Sequence, residues 1–248
     1  MKYTLLFLCF AWSAFGQSKP LFVEDFESGK IDPAVWEKRL TGVATVEVEQ
    51  QQAAHGKYAL QVHYPDMANQ TYGFLIASHL PDALRGHIFG RAYVRIEPGL
   101  SQQHTVLINA GGAGWPISKF EEIGVYKGTL QPSYQENKSA RGQGRGETVR
   151  HGEALPNGKW FLLEWEFNDD PSTLTIWIDG QVSPVTEGDQ KVNLSSFQWP
   201  ANSGTTKNLV GGFEEFGLGA RVWGAAQGGF DIYYDDVALD SKRIGPVK

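Results

Sequence analysis

The chain has 248 residues, and its 28 acidic and 22 basic side chains give a net charge of −6 at pH 7. An acidic surface of this kind disfavours nucleic acid and anionic membranes as ligands, so we expect neither. Aromatic residues make up 12 % of the chain and glycine occupies 29 positions. This composition is typical of many short strands joined by tight turns.

The N-terminus has the pattern of a secretory signal peptide. An apolar run at 4–11 follows a lysine and leads to a small-x-small cleavage site at 14–16. We therefore expect residues 1–16 to be removed, 17–248 to form one β domain, and the protein to be secreted, either to a periplasm or outside the cell. Cys9 lies inside the signal segment, so the mature chain would have neither a disulfide nor a thiolate.

Alternating apolar and polar residues predict strands along most of the chain, and no segment has the pattern of a long helix. The predicted strands lie at 21–29, 43–50, 56–62, 89–96, 103–109, 122–126, 159–167, in a hairpin at 174–182, and twice within 211–239. No linker separates two cores. These strands predict an all-β fold of two antiparallel sheets packed face to face.

The segment 211–239 predicts two neighbouring strands and the floor of a sugar-binding groove. In the first strand, Phe216 and Leu218 alternate with Glu215, Arg221 and Trp223, so the polar members share one face. In the second strand, the same alternation predicts an inward-facing carboxylate at Asp235. A buried carboxylate without a counter-charge is costly, which favours a nearby cation.

Several short motifs resemble those of the cellulose-induced secreted (Cip-like) proteins of fungi and bacteria. The motifs are Glu24-Asp-Phe-Glu-Ser-Gly29, Gly56-Lys-Tyr-Ala-Leu60, Gly90-Arg-Ala-Tyr93, a strand that begins at His104, Trp160 to Trp165, Asp179-Gly180, Tyr234 to Leu239, and Arg243-Ile-Gly245. The resemblance covers most of the mature chain in the expected order. It implies a concanavalin-like β-jelly roll related to glucuronan and alginate lyases, with calcium on one side and an open cleft on the other.

The resemblance also implies the residues of a structural calcium site. Glu24 and Asp235 would supply carboxylates, with Asp236 as a substitute, and the backbone carbonyls of the turn His55 to Lys57 would complete the shell. Calcium takes six to eight oxygen ligands and accepts backbone carbonyls readily. The ion would join the two ends of the chain and would take no part in catalysis.

The predicted cleft has the groups that β-elimination at a uronic acid requires. Arg91 or Asn109 could neutralise the substrate carboxylate, His104 could remove the α-proton, and Tyr126 or Tyr134 could protonate the leaving oxygen. Further side chains expected to contact the acidic polysaccharide are Tyr93, Arg95, Trp115, Glu215, Arg221 and Trp223.

Two other functions stay open from the sequence. Aromatic platforms serve lectins and enzymes alike, so the cleft could belong to a carbohydrate-binding protein without catalysis. His104 could also be an ordinary hydrogen-bonded residue, because strand parity places it with Val106 and Ile108 and not with Asn109. A retaining glycosidase is a weaker interpretation, since no Glu-x-Asp-x-x-Glu run places two carboxylates on one face.

Overall fold

The computed structural model describes residues 19–66, 72–97, 103–114, 120–136, 145–148, 152–169, 172–187, 190–193, 197–198, 212–224 and 228–247. Within these ranges the chain forms strands and one short 3₁₀ helix, Asp82–Leu84. The strands are β1 (Phe22–Glu24), β2 (Glu37–Thr41), β3 (Thr45–Glu49), β4 (Ala59–Tyr64), β5 (Tyr72–Ala77), β6 (His87–Glu97), β7 (His104–Gly111), β8 (Phe120–Tyr126), β9 (Thr129–Leu130), β10 (Ser133–Glu136), β11 (Arg145–Thr148), β12 (Phe161–Asp169), β13 (Ser172–Ile178), β14 (Gln181–Val182), β15 (Pro184–Glu187), β16 (Gln190–Asn193), β17 (Phe197–Gln198), β18 (Glu215–Trp223) and β19 (Phe230–Asp240).

Two large antiparallel sheets account for almost all of these strands. The first, called the front sheet below, has the order β11-β10-β8-β7-β18-β5-β2, with β9 beside β8. The second, the back sheet, has the order β14-β13-β12-β6-β19-β4-β3, with β1 beside β19 and β17 beside β13. Strands β15 and β16 form a separate pair. The all-β fold predicted from the sequence is confirmed.

The two sheets pack face to face around a shared core. The indole of Trp165 from the back sheet stacks on Phe216 of the front sheet at a centroid distance of 5.8 Å. The hydroxyl of Tyr234, also from the back sheet, donates to the backbone carbonyl of Gly219 at 2.6 Å and lies 3.0 Å from that of Leu107. These contacts join the layers of a β-sandwich, in which the inner faces interdigitate and the outer faces point away from each other.

The predicted alternation is confirmed where it was strict. Phe161, Leu163, Trp165 and Phe167 of β12 all belong to the core cluster. On β18, Phe216, Leu218, Ala220 and Val222 face inward. Arg221 is partly exposed and Trp223 is 41 % exposed, which places them on the outer face of the front sheet as expected.

Strands β2 and β5 are among the front-sheet strands that escaped prediction, and neither alternates clearly. Strand β5 has the sequence Tyr-Gly-Phe-Leu-Ile-Ala, and Phe74, Leu75 and Ile76 are all buried, so apolar residues occupy both of its faces. Among the described strands, β2 pairs only with β5 and so lies at the sheet edge, with mostly exposed, charged residues. A strand buried on both sides and an edge strand both lack the period of two.

The predicted inward orientation of Asp235 is wrong. Strand β19 pairs Asp235 with Tyr93 of β6 and resumes register only at Ala238, so the pairing is irregular between them. Asp236 lies within this irregularity and adopts a left-handed backbone with φ of 49°. The extra residue changes the parity, as in a β-bulge, so Tyr234 and Val237 reach the core while Asp235 lies on the outer face with Tyr93.

The predicted signal peptide at 1–16 lies outside the described residues. Among the residues that the structure does describe, no helix has the length and apolar character needed to cross a bilayer.

Candidate functional site

The outer face of the front sheet carries a row of polar residues that crosses three neighbouring strands. Glu122 of β8 pairs with Ser133 of β10 on one side and with Asn109 of β7 on the other. Asn109 in turn pairs with Gly217 of β18. Directly paired residues of adjacent strands point to the same face, so their side chains are neighbours.

An irregularity in β7 brings Asn109 to the face that His104 occupies. The pairing of β7 with β8 shifts between Val106 and Ile108, and both Leu107 and Ile108 join the core. The parity of the strand therefore changes between Val106 and Asn109. The predicted separation of His104 from Asn109 assumed a regular strand and is wrong.

Glu122 is completely buried on this outer face. One of its carboxylate oxygens accepts a hydrogen bond from the Ser133 hydroxyl at 3.0 Å. Burial raises the pKa of Glu122 to about 7, while the Arg221 guanidinium and the Ser133 hydroxyl act in the opposite direction. The carboxyl group therefore titrates near neutral pH, where small changes in its surroundings alter its charge.

Arg221 acts electrostatically on this buried acid and also reaches the exposed rim of the site. Its guanidinium stacks on the Trp223 indole at 3.8 Å from the ring centroid. Burial lowers the pKa of Arg221, and the neighbouring Glu122 acts against that shift. A stacked, partly exposed guanidinium can still use its planar fork to bind a carboxylate.

His104 lies beside this pair, at the start of β7. Its Nε2 atom lies 2.6 Å from the position that a Cβ of Gly124 would occupy, so the glycine leaves room for the ring. Burial is the main cause of a lowered pKa for His104, and Arg221 adds to the effect. The imidazole is therefore neutral at neutral pH, which is the form that accepts a proton.

Two more predicted site residues lie on this face. Tyr126 is 37 % exposed and follows Val125, the partner of Thr105, so it lies at the same end of the sheet as His104. Asn109 is only 1 % exposed, and its Nδ2 atom has no hydrogen-bond partner among the described residues. An unsatisfied buried amide donor is uncommon and marks a position for a polar ligand or a water molecule.

Glu215 lies on β18, the strand of Arg221 and Trp223, but its environment differs from the one predicted. It is 4 % exposed, and its two carboxylate oxygens accept hydrogen bonds from the Arg39 guanidinium at 2.7 and 2.8 Å. This bidentate pair joins β18 to the edge strand β2. Glu215 therefore supports the sheet and is not an open groove residue.

Arg91, Tyr93 and Arg95 do not belong to this site. All three lie on β6 of the back sheet, on its outer face. Arg91 donates to the backbone carbonyls of Gly245 at 3.0 Å and Asp236 at 3.3 Å, and Arg95 forms an ion pair with Glu97. The prediction that they share a cleft with His104 is wrong, because their strand pairs in the other layer of the sandwich.

Two predicted site residues, Trp115 and Tyr134, have no described side chain. Trp115 lies outside the described residues. The backbone of Tyr134 pairs with Glu121 in β8, so it belongs to the front sheet.

The residues predicted to bind calcium are only partly brought together. Glu24 pairs with the core residue Val237, and its carboxylate accepts hydrogen bonds from the Trp36 indole at 2.8 Å and the Phe26 amide at 2.9 Å. Asp235, in contrast, lies on the outer face of the back sheet. The predicted pairing of Glu24 with Asp235 therefore does not form, because the irregularity in β19 turns the two carboxylates to different faces.

Asp235 and Asp236 nonetheless lie against the predicted turn. One oxygen of Asp235 accepts hydrogen bonds from the amides of Ala54 and His55 at 2.8 and 3.0 Å. Asp236 contacts the His55 ring at 2.5 Å, and the Lys57 amide donates to Glu27 at 2.7 Å. Burial raises the pKa of Asp235 to about 6, and Asp236 adds to the effect. The oxygen donors of this corner suit calcium, although no group of three or more His, Cys, Asp or Glu side chains in the described part of the chain is arranged to hold a metal.

Glu122, Ser133 and Tyr72 were missed from the sequence. Tyr72 lies on β5, a strand that the sequence does not predict, and it pairs with Arg221 of β18. In the sequence, Glu121 and Glu122 are consecutive residues of one strand and therefore point to opposite faces. That adjacency places one acid on the inner face and the other on the outer face, but it gives no sign that the outer acid is buried.

Comparison with solved structures supports the fold. A structure described as cellulose induced protein, Cip1, has a TM-score of 0.67 at 18 % identity, covering 91 % of this chain and 100 % of that one. An endo-β-1,4-glucuronan lyase from Trichoderma reesei gives 0.60 at 15 % identity, with coverage of 90 % and 96 %. A Bacteroides ovatus GH16 protein in complex with a mixed-linkage glucan product gives 0.58 at 16 % identity, with coverage of 88 % and 99 %.

Sequence comparison identifies the family. No curated protein matches the chain in sequence. The family model described as the Cip1-like core domain, of the polysaccharide lyase-like group, matches residues 25–242. This range includes strands β2 to β19. The chain therefore belongs to the Cip1-like core domain family of polysaccharide lyase-like proteins.

Proposed function

We propose that the protein binds a uronic-acid-containing polysaccharide on the outer face of the front sheet and cleaves it by β-elimination. The observation that carries the proposal is the convergence of Arg221, His104 and Asn109 on that face, beside the exposed rings of Tyr126 and Trp223. The fold shared with a glucuronan lyase supports it.

Each step of the elimination has a candidate group. Arg221 and the unsatisfied amide of Asn109 would bind the substrate carboxylate and stabilise the negative charge that develops on it. Neutral His104 would take the proton from the carbon next to that carboxylate. The C–H electron pair then forms the ring double bond while the β C–O bond breaks, and Tyr126 would donate its phenolic proton to the departing oxygen.

A second function is supported by the rim of the site. Trp223 is 41 % exposed, and the stacked Arg221 guanidinium holds one side of its indole. Such a platform binds sugar rings without any need for a base. A carbohydrate-binding protein without lyase activity is therefore the alternative.

We also propose calcium binding and secretion. Calcium would lie at the back-sheet corner, with carboxylate oxygens from Asp235 and Asp236 and backbone carbonyls of the 54–57 turn. A cation there would stabilise the ionised form of Asp235, whose pKa burial raises. Secretion is supported by the signal-like pattern at 1–16.

An ultraviolet assay separates the two functions. Elimination creates an unsaturated uronate that absorbs ultraviolet light, so absorbance should rise with glucuronan or alginate and stay level with a neutral glucan. His104→Gln should lower the rate by roughly 100-fold or more, the usual contribution of a general base. His63→Gln is the matched control, because His63 binds Asp231 on the back sheet.

Two results would contradict the lyase function. Absorbance that stays level with every uronate polymer would exclude elimination, and retained binding to those polymers would then favour the carbohydrate-binding alternative. Full activity in His104→Gln would exclude His104 as the base but would leave elimination standing.

A further inference from the structure

A pocket lies at one edge of the sandwich, outside the site on the front sheet. Its volume is about 520 Å³, within the usual range for sites that bind small ligands. The pocket, called the edge pocket below, is bounded by strand β2, by strand β3 and by the loop 29–36. Strand β2 ends the order of the front sheet and β3 ends that of the back sheet, so the pocket lies where the two sheets open to solvent.

The mouth of the edge pocket has a charged residue at an inward-facing position. Lys38 of β2 pairs with the core residue Leu75. Val48 of β3 likewise pairs with the core residue Leu60. Paired residues point to the same face, so Lys38 and Val48 both face the space between the sheets. Val48 packs against the core, as inward residues usually do, whereas Lys38 is exposed and places a charge at the opening.

The wall formed by the loop 29–36 is held in place by contacts that need no ligand. The Trp36 indole N–H donates to a Glu24 carboxylate oxygen at 2.8 Å, and the Phe22 ring packs edge-on against the indole at a centroid distance of 5.5 Å. The Trp36 amide donates to the Asp32 carbonyl at 2.9 Å. This wall therefore does not have to be built when a ligand binds, which lowers the entropic cost of binding.

Three charged side chains of the edge pocket can meet a ligand. Lys30, Lys38 and Glu47 are exposed, and within the described part of the chain none of them forms an ion pair. Ile31 and Val48 supply an apolar surface beside them. An ammonium attracts a carboxylate, a carboxylate accepts hydrogen bonds from hydroxyls, and apolar side chains bury C–H groups. A uronic acid residue has all three partners, namely a carboxylate, hydroxyl groups and a ring with C–H faces.

We propose that the edge pocket is a second glycan-binding site, which takes a uronic acid residue of the polymer bound at the front sheet. Lys30 and Lys38 bind the carboxylate, Glu47 accepts hydrogen bonds from the hydroxyl groups, and the sugar ring lies against Ile31 and Val48. The class of glycan rests on the proposed function. The pocket holds the polymer and does not cleave it, because the groups assigned to proton transfer lie on the front sheet.

The position of β2 allows one polymer chain to contact both sites. The front sheet contains the order β18-β5-β2, and neighbouring strands lie about 5 Å apart, so β2 is roughly 10 Å from the strand that carries Arg221 and Trp223. A polymer that follows the sheet edge can occupy both sites, and the second contact then raises its affinity through a high effective concentration. A short oligosaccharide, in contrast, binds each site independently.

Lys38 alone would also fit a role that needs no ligand. Inward-pointing charges on edge strands prevent these strands from pairing with another chain. Lys30 lies in the loop before β2 and has no part in strand pairing. The placement of both lysines around one pocket therefore favours a ligand over edge protection.

Nuclear magnetic resonance of ¹⁵N-labelled protein locates the ligand directly. The parent protein is His104→Gln, which keeps the oligosaccharide intact during the measurement. On titration with a short glucuronan oligosaccharide, the Trp36 indole N–H signal and the backbone amides of 30–38 should shift and saturate. The Trp223 signal should shift as well, with its own dissociation constant. A neutral glucan oligosaccharide should leave the Trp36 signal unchanged, because it brings no carboxylate to the lysines.

The combined substitutions Lys30→Gln and Lys38→Gln test the ligand groups. Both lysines are exposed, so the fold should be retained. The affinity reported by the Trp36 signal should fall by roughly five- to tenfold, the effect of losing two partly exposed ion pairs. The matched control removes the same two charges at Lys159 and Lys242, exposed residues that do not line the pocket, and should bind as the parent does.

The outcomes separate the edge pocket from the function on which it rests. Shifts at Trp223 without any at Trp36 would overturn the second site and leave the proposed function intact. Shifts at Trp36 that keep their affinity in the Lys30→Gln and Lys38→Gln variant would also overturn it. Shifts at Trp36 alone would support the edge pocket and contradict binding at the front sheet. With no shift at either tryptophan both proposals would fail, and edge protection would then account for Lys38.

Discussion

Two consecutive acids on β8, Glu121 and Glu122, have different surroundings because they face opposite sides of the sheet. Glu122 faces outward, where Ser133 and Arg221 partly compensate for its burial, and its pKa is about 7. Glu121 faces the core, and neither of its carboxylate oxygens has a hydrogen-bond partner among the residues that the structure describes. Burial raises the pKa of Glu121 well above its usual value, and nearby Asp169 adds to the effect. Glu121 is therefore neutral in the folded protein at ordinary pH.

The burial of Glu121 makes the free energy of unfolding depend on pH. The folded-state pKa of Glu121 exceeds the unfolded-state value, so the unfolded state releases its proton first as the pH rises, and the free energy of unfolding falls. Glu121→Gln removes this ionisation. We expect the free energy of unfolding of the variant, relative to that of the wild type, to rise by about 1.4 kcal/mol for each pH unit between the unfolded-state and the folded-state pKa of Glu121.

Urea unfolding at several pH values measures the effect. The difference between Glu121→Gln and the wild type should be small in acid and should increase with pH. Glu153→Gln, at an exposed position, is the control for loss of one acidic charge. A constant difference at every pH would show that Glu121 does not change its ionisation on unfolding.

At the scale of the strand, glycines and irregular pairings adjust which side chains can meet. Gly124 leaves room for the His104 ring, and Gly217 leaves room for the Asn109 side chain. The irregularity in β7 then turns Asn109 to the His104 face. The site on the front sheet therefore depends on two glycines, which have no side chain, and on one register shift, as well as on the residues that carry its chemistry.

Gly90 in β6 has the same role inside the core. A methyl group at this position would overlap the Trp165 indole, which stacks on Phe216 of the opposite sheet. We expect Gly90→Ala to lower the free energy of unfolding by about 1–3 kcal/mol, the usual cost of overpacking. The melting temperature should fall accordingly, by roughly 2–4 °C per kcal/mol for a chain of this size.

Gly86→Ala is the matched control. Gly86 lies just before the same strand, and a methyl group there would have no heavy atom within 4 Å. Calorimetry of both variants should show a loss for Gly90→Ala alone. Equal melting temperatures for Gly90→Ala and the wild type would mean that the indole moves aside without cost.

At the scale of the whole molecule, the sandwich brings distant parts of the chain together. Strand β1 pairs with β19, and the turn at 54–58 bonds to Glu27 on one side and to Asp235 on the other. This corner holds the N-terminal strand and the C-terminal strand near one loop. A cation bound by Asp235 and Asp236 would strengthen a junction that closes nearly the full length of the chain.

Calcium should therefore raise the melting temperature of the wild-type protein. A ligand at about one hundred times its dissociation constant stabilises a folded protein by about 2.7 kcal/mol. Asp235→Asn should lose the response to calcium and to its chelation. Asp231→Asn is the control on the same strand, because Asp231 binds Gln61 and His63, away from the proposed ligands. A calcium response that persists in Asp235→Asn would place the ion elsewhere.

The sequence by itself determined the all-β fold, the core faces of β12 and β18, and the outward positions of Arg221 and Trp223. Local alternation is sufficient for these, because one buried face per strand imposes a period of two. It also singled out His104, Asn109 and Tyr126. The family resemblance it suggested is confirmed by the family match over residues 25–242.

Only the tertiary structure decided which of these residues meet. Arg91 and His104 both lie on strands that the sequence predicts, yet strand pairing places them in different sheets, and pairing between distant segments leaves no local signal. The shifts in β7 and β19 reversed the predicted faces of Asn109 and Asp235, because one extra residue in a strand changes the side of every residue beyond it. Glu122 gained its near-neutral pKa from burial beside Arg221, an environment that exists only once β7, β8, β10 and β18 have come together.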